Sequence, residues 1–217
     1  MFILRTFIYL ILITLLAQVV ALEGFQDLSS ASYSERSLTE YLQSGLLFIS
    51  FIVFLYSASI AKELKIAAKL IAALMAMMFV RESDAVLDTY VFDGAWQTIV
   101  LFIIVSTLFS LRGQFGQIYP SLKQYASQSS FGTFLAGMVV VLAFSRMMGR
   151  GSFWKAVMGD GYMRVVKNIV EEGIETLGYS LITIAAVEFF VFCKAKYKAT
   201  EISKKKIQRK SSHQIPV

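Results

Sequence analysis

The sequence predicts an all-α polytopic transmembrane helical bundle of six spans, or five if the first segment is a cleaved signal peptide. Three observations predict it. The 217-residue chain is 56% hydrophobic, with mean hydropathy +0.62, and a soluble domain of that size would expose too much apolar surface. The apolar residues fall in six runs, most approaching the ~20 residues that cross a bilayer as a helix. The charges, 17% of residues, gather in short loops and in the tail.

The first run, residues 2–22, opens on MFILR and closes on AQVVA. That pattern suits either an uncleaved first helix or a signal peptide ending at Ala21, and the length of the run favours the helix. The others cover residues 44–61, 66–87, 95–111, 131–148 and 172–193. The second, fourth and fifth runs are slightly short, so interface residues must complete them. Pro120 and Pro216 fall outside every run, so proline gives no sign of broken helices. No internal repeat of the kind that builds inverted-repeat transporters stands out.

Charge bias orients the chain. Arg5, the group Lys62, Lys65 and Lys69, the pair Arg112 and Lys123, and the tail after Cys193 alternate along the sequence and should face the cytoplasm. The intervening loops carry Glu23, Asp27, Glu35 and Glu40, then Asp84, Asp88 and Asp93; the last outer loop is mixed. Both termini of the full chain are therefore expected inside. Residues 23–196 form the expected bundle, and residues 197–217 a basic cytoplasmic tail expected to be disordered. That tail would hold anionic lipid by simple electrostatics. No nucleic-acid binding is expected, because no folded domain aims its charges.

Between the fifth and sixth runs, Gly149 and Gly151 act as breakers. SFWKAVM, residues 152–158, reads as a short interfacial helix with Trp154 at the lipid boundary. Gly159–Gly161 reads as a turn, with Asp160 as N-cap of the next helix. From Tyr162 to about Lys196 the pattern stays helical, far longer than a ~30 Å hydrocarbon core requires. The helix should project outward or bend near Gly173 and Gly178.

The residue inventory excludes several chemistries. Cys193 is the single cysteine and His213 the single histidine. One chain therefore makes no disulfide and no His/Cys zinc site, and a Ser-His-Asp or Cys-His nucleophile system is disfavoured because His213 sits in the tail.

The charges that remain cluster at the outer end. On one helix, Arg81, Asp84 and Asp88 share a face at i, i+3, i+7, with Glu82 about 100° away. Arg146 ends the fifth run. Glu172, Glu175 and Tyr179 share a face of the sixth, and Glu40 precedes the second. Topology brings these residues to one end, as candidate ligands for a polar head group, a small ligand or a cation. Carboxylates outnumber arginines in this set, and excess carboxylates in low dielectric either protonate or hold a cation. An all-oxygen site built from Glu82, Asp84, Glu172 and Glu175 would suit Mg²⁺ or Ca²⁺. Two such carboxylates would equally make an acid/base pair for an enzyme acting on a lipid-linked substrate. A third reading makes the chain a non-catalytic assembly or interaction subunit, its charges fixing helix packing. Glu188, at the cytoplasmic end of the sixth run, is expected to pair with Lys69 or Lys194.

FSRMMGRGSFWKAVMGDGYMRVVKNIVEEGIETLGY, with VRESDAVLD and EYLQSGLLF, resembles a group of multi-span bacterial inner-membrane proteins of this length. The resemblance spans most of the chain. It implies a bacterial inner-membrane location and attaches no activity. A comparison with membrane ceramidases fails, since those hydrolases hold zinc with several histidines.

Overall fold

The computed structural model describes residues 2–30 and 37–212, and among them every regular element is a helix. In chain order these are α1 (Phe2–Ser30), α2 (Leu38–Ile60), α3 (Lys65–Glu82), α4 (Asp84–Tyr90), α5 (Ala95–Ser110) and α6 (Ile118–Ala126). Then come α7 (Ser129–Val139), a π-helical turn (Val140–Ser145), α8 (Arg146–Met148), α9 (Gly151–Met158) and α10 (Arg164–Ser212). Glu35 and His213 lie outside the described residues.

Among the described residues, four helices are long and apolar enough to cross a membrane: Ile3–Phe25, Leu38–Ile60, Ser129–Met148 and Arg164–Ser203. A fifth is added if α4 and α5, bent by 112° at their junction, count as one broken span. α3 is 18 residues long but carries Lys65, Lys69, Arg81 and Glu82, too many charges to qualify on composition. Each charge at mid-bilayer costs about 3 kcal/mol on insertion scales.

α10 organises the packing. It lies against α1, α2, α7 and the π turn, while α2 packs on α3, and α3 on α5 and α6. Between α2 and α10 the contact is partly polar. Gln43 Nε2 donates to Glu172 O and to Thr176 Oγ1, both at 3.1 Å, and Ser50 Oγ meets Thr183 Oγ1 at 3.0 Å. Such interhelical hydrogen bonds contribute about 0.6–2 kcal/mol each in an apolar medium. Toward the other end, the rings of Phe54, Phe134, Phe189 and Tyr125 meet with centroids 5.1 to 6.1 Å apart. Between α7 and α10 the backbones touch. A Cβ added to Gly137 would lie 2.8 Å from Gly178 O, and one added to Gly178 would lie 3.1 Å from Gly137 O. Small residues allow this approach where lipid offers no hydrophobic drive.

Three expectations change. The single helix over residues 66–87 breaks at Ser83, whose N–H bonds Phe79 O at 3.1 Å and whose Oγ donates to the same carbonyl at 2.9 Å. A serine bonding back to the preceding turn competes with helix continuation, and the Asp84 carboxylate takes the N–H of Ala85 at 2.7 Å. The tail expected to be disordered is helical as far as Ser212. The reason lies in composition: no Gly or Pro occurs between Gly178 and Ser212, and Lys, Ala, Glu and Gln favour helix. Over its 49 residues α10 runs about 74 Å at ~1.5 Å per residue. Asp160, expected as an N-cap, instead sits inside a 3₁₀ turn (Gly159–Gly161), and α10 starts only at Arg164.

Candidate functional site

The C-terminal end of α3, the π turn with α8, and the first third of α10 converge on a polar cluster. Its centre is a pair of carboxylates, each inward-facing and each held from two sides. Glu82, with 13% of its side chain exposed, pairs with Arg81 Nη1 at 2.7 Å and accepts the Tyr179 hydroxyl at 2.8 Å. Tyr179 itself is 1% exposed. Glu175, 9% exposed, accepts the Ser145 hydroxyl at 2.7 Å and has Arg146 Nη2 at 3.7 Å. The two halves lie within electrostatic reach, because Glu82 and Arg81 both act on Glu175.

Local structure explains the placement. Arg81 and Glu82 are neighbours in the last turn of α3 and pair with each other there. Tyr179 follows Glu175 at i+4 on α10 and so presents its hydroxyl from the same face. The π turn adds a residue to the helix register, a distortion that recurs where a side chain must be aimed. Here it brings Ser145 fully inside, against α10, and leaves Arg146 on the surface.

The exposure pattern is asymmetric. Arg81 and Arg146 keep 44% and 43% of their side chains exposed, while their carboxylates are largely covered. Each guanidinium has five donors, and the observed pair uses one nitrogen of each. A third pair, Lys167 Nζ with Glu171 at 2.6 Å, lies next along α10.

The remaining candidates separate. Asp84 acts on Arg81 electrostatically while bonding its neighbour's N–H. Asp88 does not share Arg81's face as expected: it lies on α4, and its carboxylate takes the N–H of Gly94 at 3.0 Å, bracing the turn into α5. Glu172 accepts from Ser37 Oγ at 3.4 Å, at the start of α2. Glu40 sits in the first turn of α2, its N–H bonded to Ser37 Oγ at 3.1 Å. No group of three or more His, Cys, Asp or Glu able to hold a metal forms among the described residues. The carboxylate set drawn up for Mg²⁺ or Ca²⁺ is thus not gathered, because Asp84 serves a helix start and Glu172 lies at the α2 entrance.

Sequence reasoning missed Ser145, although it adjoins Arg146, because its inward aim depends on the π turn. It also missed Glu23. That side chain reaches from α1 to cap α2, accepting from Leu38 N at 2.7 Å, from Thr39 N at 2.8 Å and from the Thr39 hydroxyl. A carboxylate at a helix N-terminus satisfies donors the helix cannot. At the opposite end of the molecule, Glu188 pairs not with a lysine but with Arg5 Nη1, at 2.9 and 3.1 Å, and with the Tyr9 hydroxyl. Lys194 lies over the Phe190 ring at 5.6 Å and Lys69 Nζ is 3.5 Å from Ser110 Oγ. The first helix, lying along α10, supplies the nearer cation. Compared with known proteins, the chain matches no family model, no curated protein and no solved structure.

Proposed function

We propose that the protein is an integral protein of a bacterial inner membrane whose outer end binds an anionic group, the phosphate of a polar head group or a small anionic ligand, through Arg81 and Arg146. One observation carries this reading: the acids of the cluster are inward and committed, while the arginines are outward with donors to spare. Glu82 and Glu175 then act as positioning residues. They orient two guanidinium groups and offset their charge before a ligand arrives, which lowers the cost of ordering them on binding. Guanidinium is suited to the task because it meets phosphate or carboxylate with two parallel hydrogen bonds.

The geometry favours an anion over a cation, since neither carboxylate is left unpaired. It also gives little support to acid/base chemistry on Glu82 or Glu175, each of which already holds a hydroxyl and an arginine. The non-catalytic assembly reading draws support from the same closed pairs, which tie α3, α8 and α10 together.

The test uses the full chain in detergent with phosphatidylglycerol and inorganic phosphate as probes. Binding is compared for wild type, Arg81→Gln and Arg146→Gln, with thermal melting as the folding control. Affinity for a phosphate-bearing probe should fall about tenfold per arginine while each variant still melts as a folded protein. Equal binding in all three proteins would remove the anion site and leave the assembly reading.

A further inference from the structure

The seam between α1 and α10 carries two cavities that the polar cluster does not use. One, about 220 Å³, lies at the end where the basic loops gather and is lined by Arg5, Tyr9, Ser129, Ser130, Thr133 and Glu188 among others. The other, about 240 Å³, is apolar, lined by Ile13, Ala17, Val20, Gly173 and Leu177 with little polar surface. They succeed one another along both helices. On α1 the lining residues step 5, 9, 13, 17, 20; on α10 they step back 188, 184, 180, 177, 173. Steps of three and four keep to one helical face, so the polar mouth and the apolar groove lie in line along the same seam.

Polar atoms at the mouth lack hydrogen-bond partners. Ser130 is 5% exposed and its Oγ has no hydrogen-bond partner among the described residues, nor has the buried Nε of Arg5. The Tyr125 hydroxyl also has no partner within hydrogen-bond distance among the described residues, and it lies close enough to Ser130 for the two hydroxyls to interact. Ser129 and Ser130 form the first turn of α7, where no side chain caps the free N–H groups, and a helix N-terminus favours an anion. Glu188 does not compete for these donors, because Arg5 Nη1 and the Tyr9 hydroxyl already occupy it. From Arg5 to Val20 the seam rises about 22 Å at ~1.5 Å per residue, half of a bilayer of ~40–45 Å counted with its head-group regions and so one leaflet.

We propose that this seam holds one glycerophospholipid of the cytoplasmic leaflet. Its phosphate accepts from Arg5 Nε, the Ser130 hydroxyl and the α7 N-terminus, and an acyl chain lies along Ile13, Ala17 and Val20. Its head-group end is independent of Arg81 and Arg146 and lies at the other end of the molecule.

The experiment uses the full-length chain carrying Arg81→Gln and Arg146→Gln, so that the outer arginines contribute no bound phosphate. Delipidated protein is offered dioleoylphosphatidylglycerol or dioleoylglycerol, which has the same tails and no phosphate, and bound lipid is counted by native mass spectrometry. One phosphatidylglycerol per chain should be retained and dioleoylglycerol should not. Ser130→Ala, which removes a head-group donor, and Ala17→Trp, which fills the groove and leaves the mouth intact, should each lower occupancy about tenfold. Equal retention of the two lipids, or unchanged occupancy in Ser130→Ala, would overturn the proposal. So would displacement of the lipid by inorganic phosphate alone, since that would mean the tail contributes nothing. Should Ala17→Trp fail to fold, the lipid comparison and Ser130→Ala decide.

Discussion

The Tyr179 hydroxyl donates to the Glu82 carboxylate at 2.8 Å, joining the first third of α10 to the last residue of α3. Both side chains are largely covered, so the bond acts where water does not compete. Tyr179→Phe should keep the ring packing and lose only the hydroxyl. A loss of about 1–2 kcal/mol is expected, read as a lower melting temperature in detergent, with secondary structure unchanged by circular dichroism.

On the Arg146 side, Glu175 separates two roles. Glu175→Gln keeps shape and a hydrogen bond for Ser145 but removes the charge opposite Arg146. At 3.7 Å and with Arg146 43% exposed, the ion pair itself is worth ~1 kcal/mol or less. Glu175→Ala also leaves the fully buried Ser145 hydroxyl without its acceptor, and should cost about 1–3 kcal/mol more than Glu175→Gln. Melting curves of the two variants check this order; equal losses would mean that Ser145 finds another partner.

Close backbone contact between α7 and α10 rests on Gly137 and Gly178. A Cβ on Gly137 would meet the Gly178 carbonyl oxygen and Ile182 Cγ1, each at 2.8 Å. A carbonyl cannot move aside as a flexible side chain can. Gly137→Ala should therefore destabilise by roughly 1–3 kcal/mol, while Gly132→Ala, with nothing within 4 Å of the added carbon, should not destabilise. Chemical unfolding of the two variants side by side checks the contrast.

Glu63, in the loop between α2 and α3, links to Lys196 of α10 and accepts from Gln124 Nε2 at 2.8 Å. The Lys196 hydrogen bond, then that of Gln124, holds its carboxyl below the ordinary glutamate range. A carboxyl whose value is depressed by folding stabilises the fold above its unfolded value, and that contribution disappears as pH falls through the folded value. Melting temperature measured downward from neutral pH should thus drop in the acid range, and Glu63→Gln should drop less. The group is exposed, so added salt should shrink the difference.

Much of this was legible in residue order. The all-helical class and the membrane-length runs follow from apolar runs alone. The meeting of Arg81, Glu82, Arg146, Glu175 and Tyr179 was expected from the sequence, although α3 is not among the helices long and apolar enough to cross a membrane. The features that escaped depended on single backbone events. Ser83 breaks the helix and moves Asp88 onto α4 and away from Arg81's face, although the spacing 81, 84, 88 suits an unbroken helix equally well. The π turn aims Ser145 inward with no distinctive residue to announce it. Glu188 took Arg5 and Glu23 took the start of α2 because α1 lies along α10, a neighbour that sequence order does not reveal. The tail was misjudged as far as Ser212 because a run of lysines reads as solvated chain, although no residue between Tyr197 and Ser212 breaks a helix.

The proposed anion site around Arg81 and Arg146 is tested most directly by rotational-echo NMR between arginine ¹⁵N and lipid ³¹P, on the full chain in phosphatidylglycerol bilayers. With Arg81 and Arg146 each engaging a phosphate, guanidinium nitrogens should lie within ~4 Å of phosphorus, and strong dephasing should fall in Arg81→Gln/Arg146→Gln. Dephasing that is the same in wild type and double variant would contradict the account, since the two arginines would then touch no phosphate.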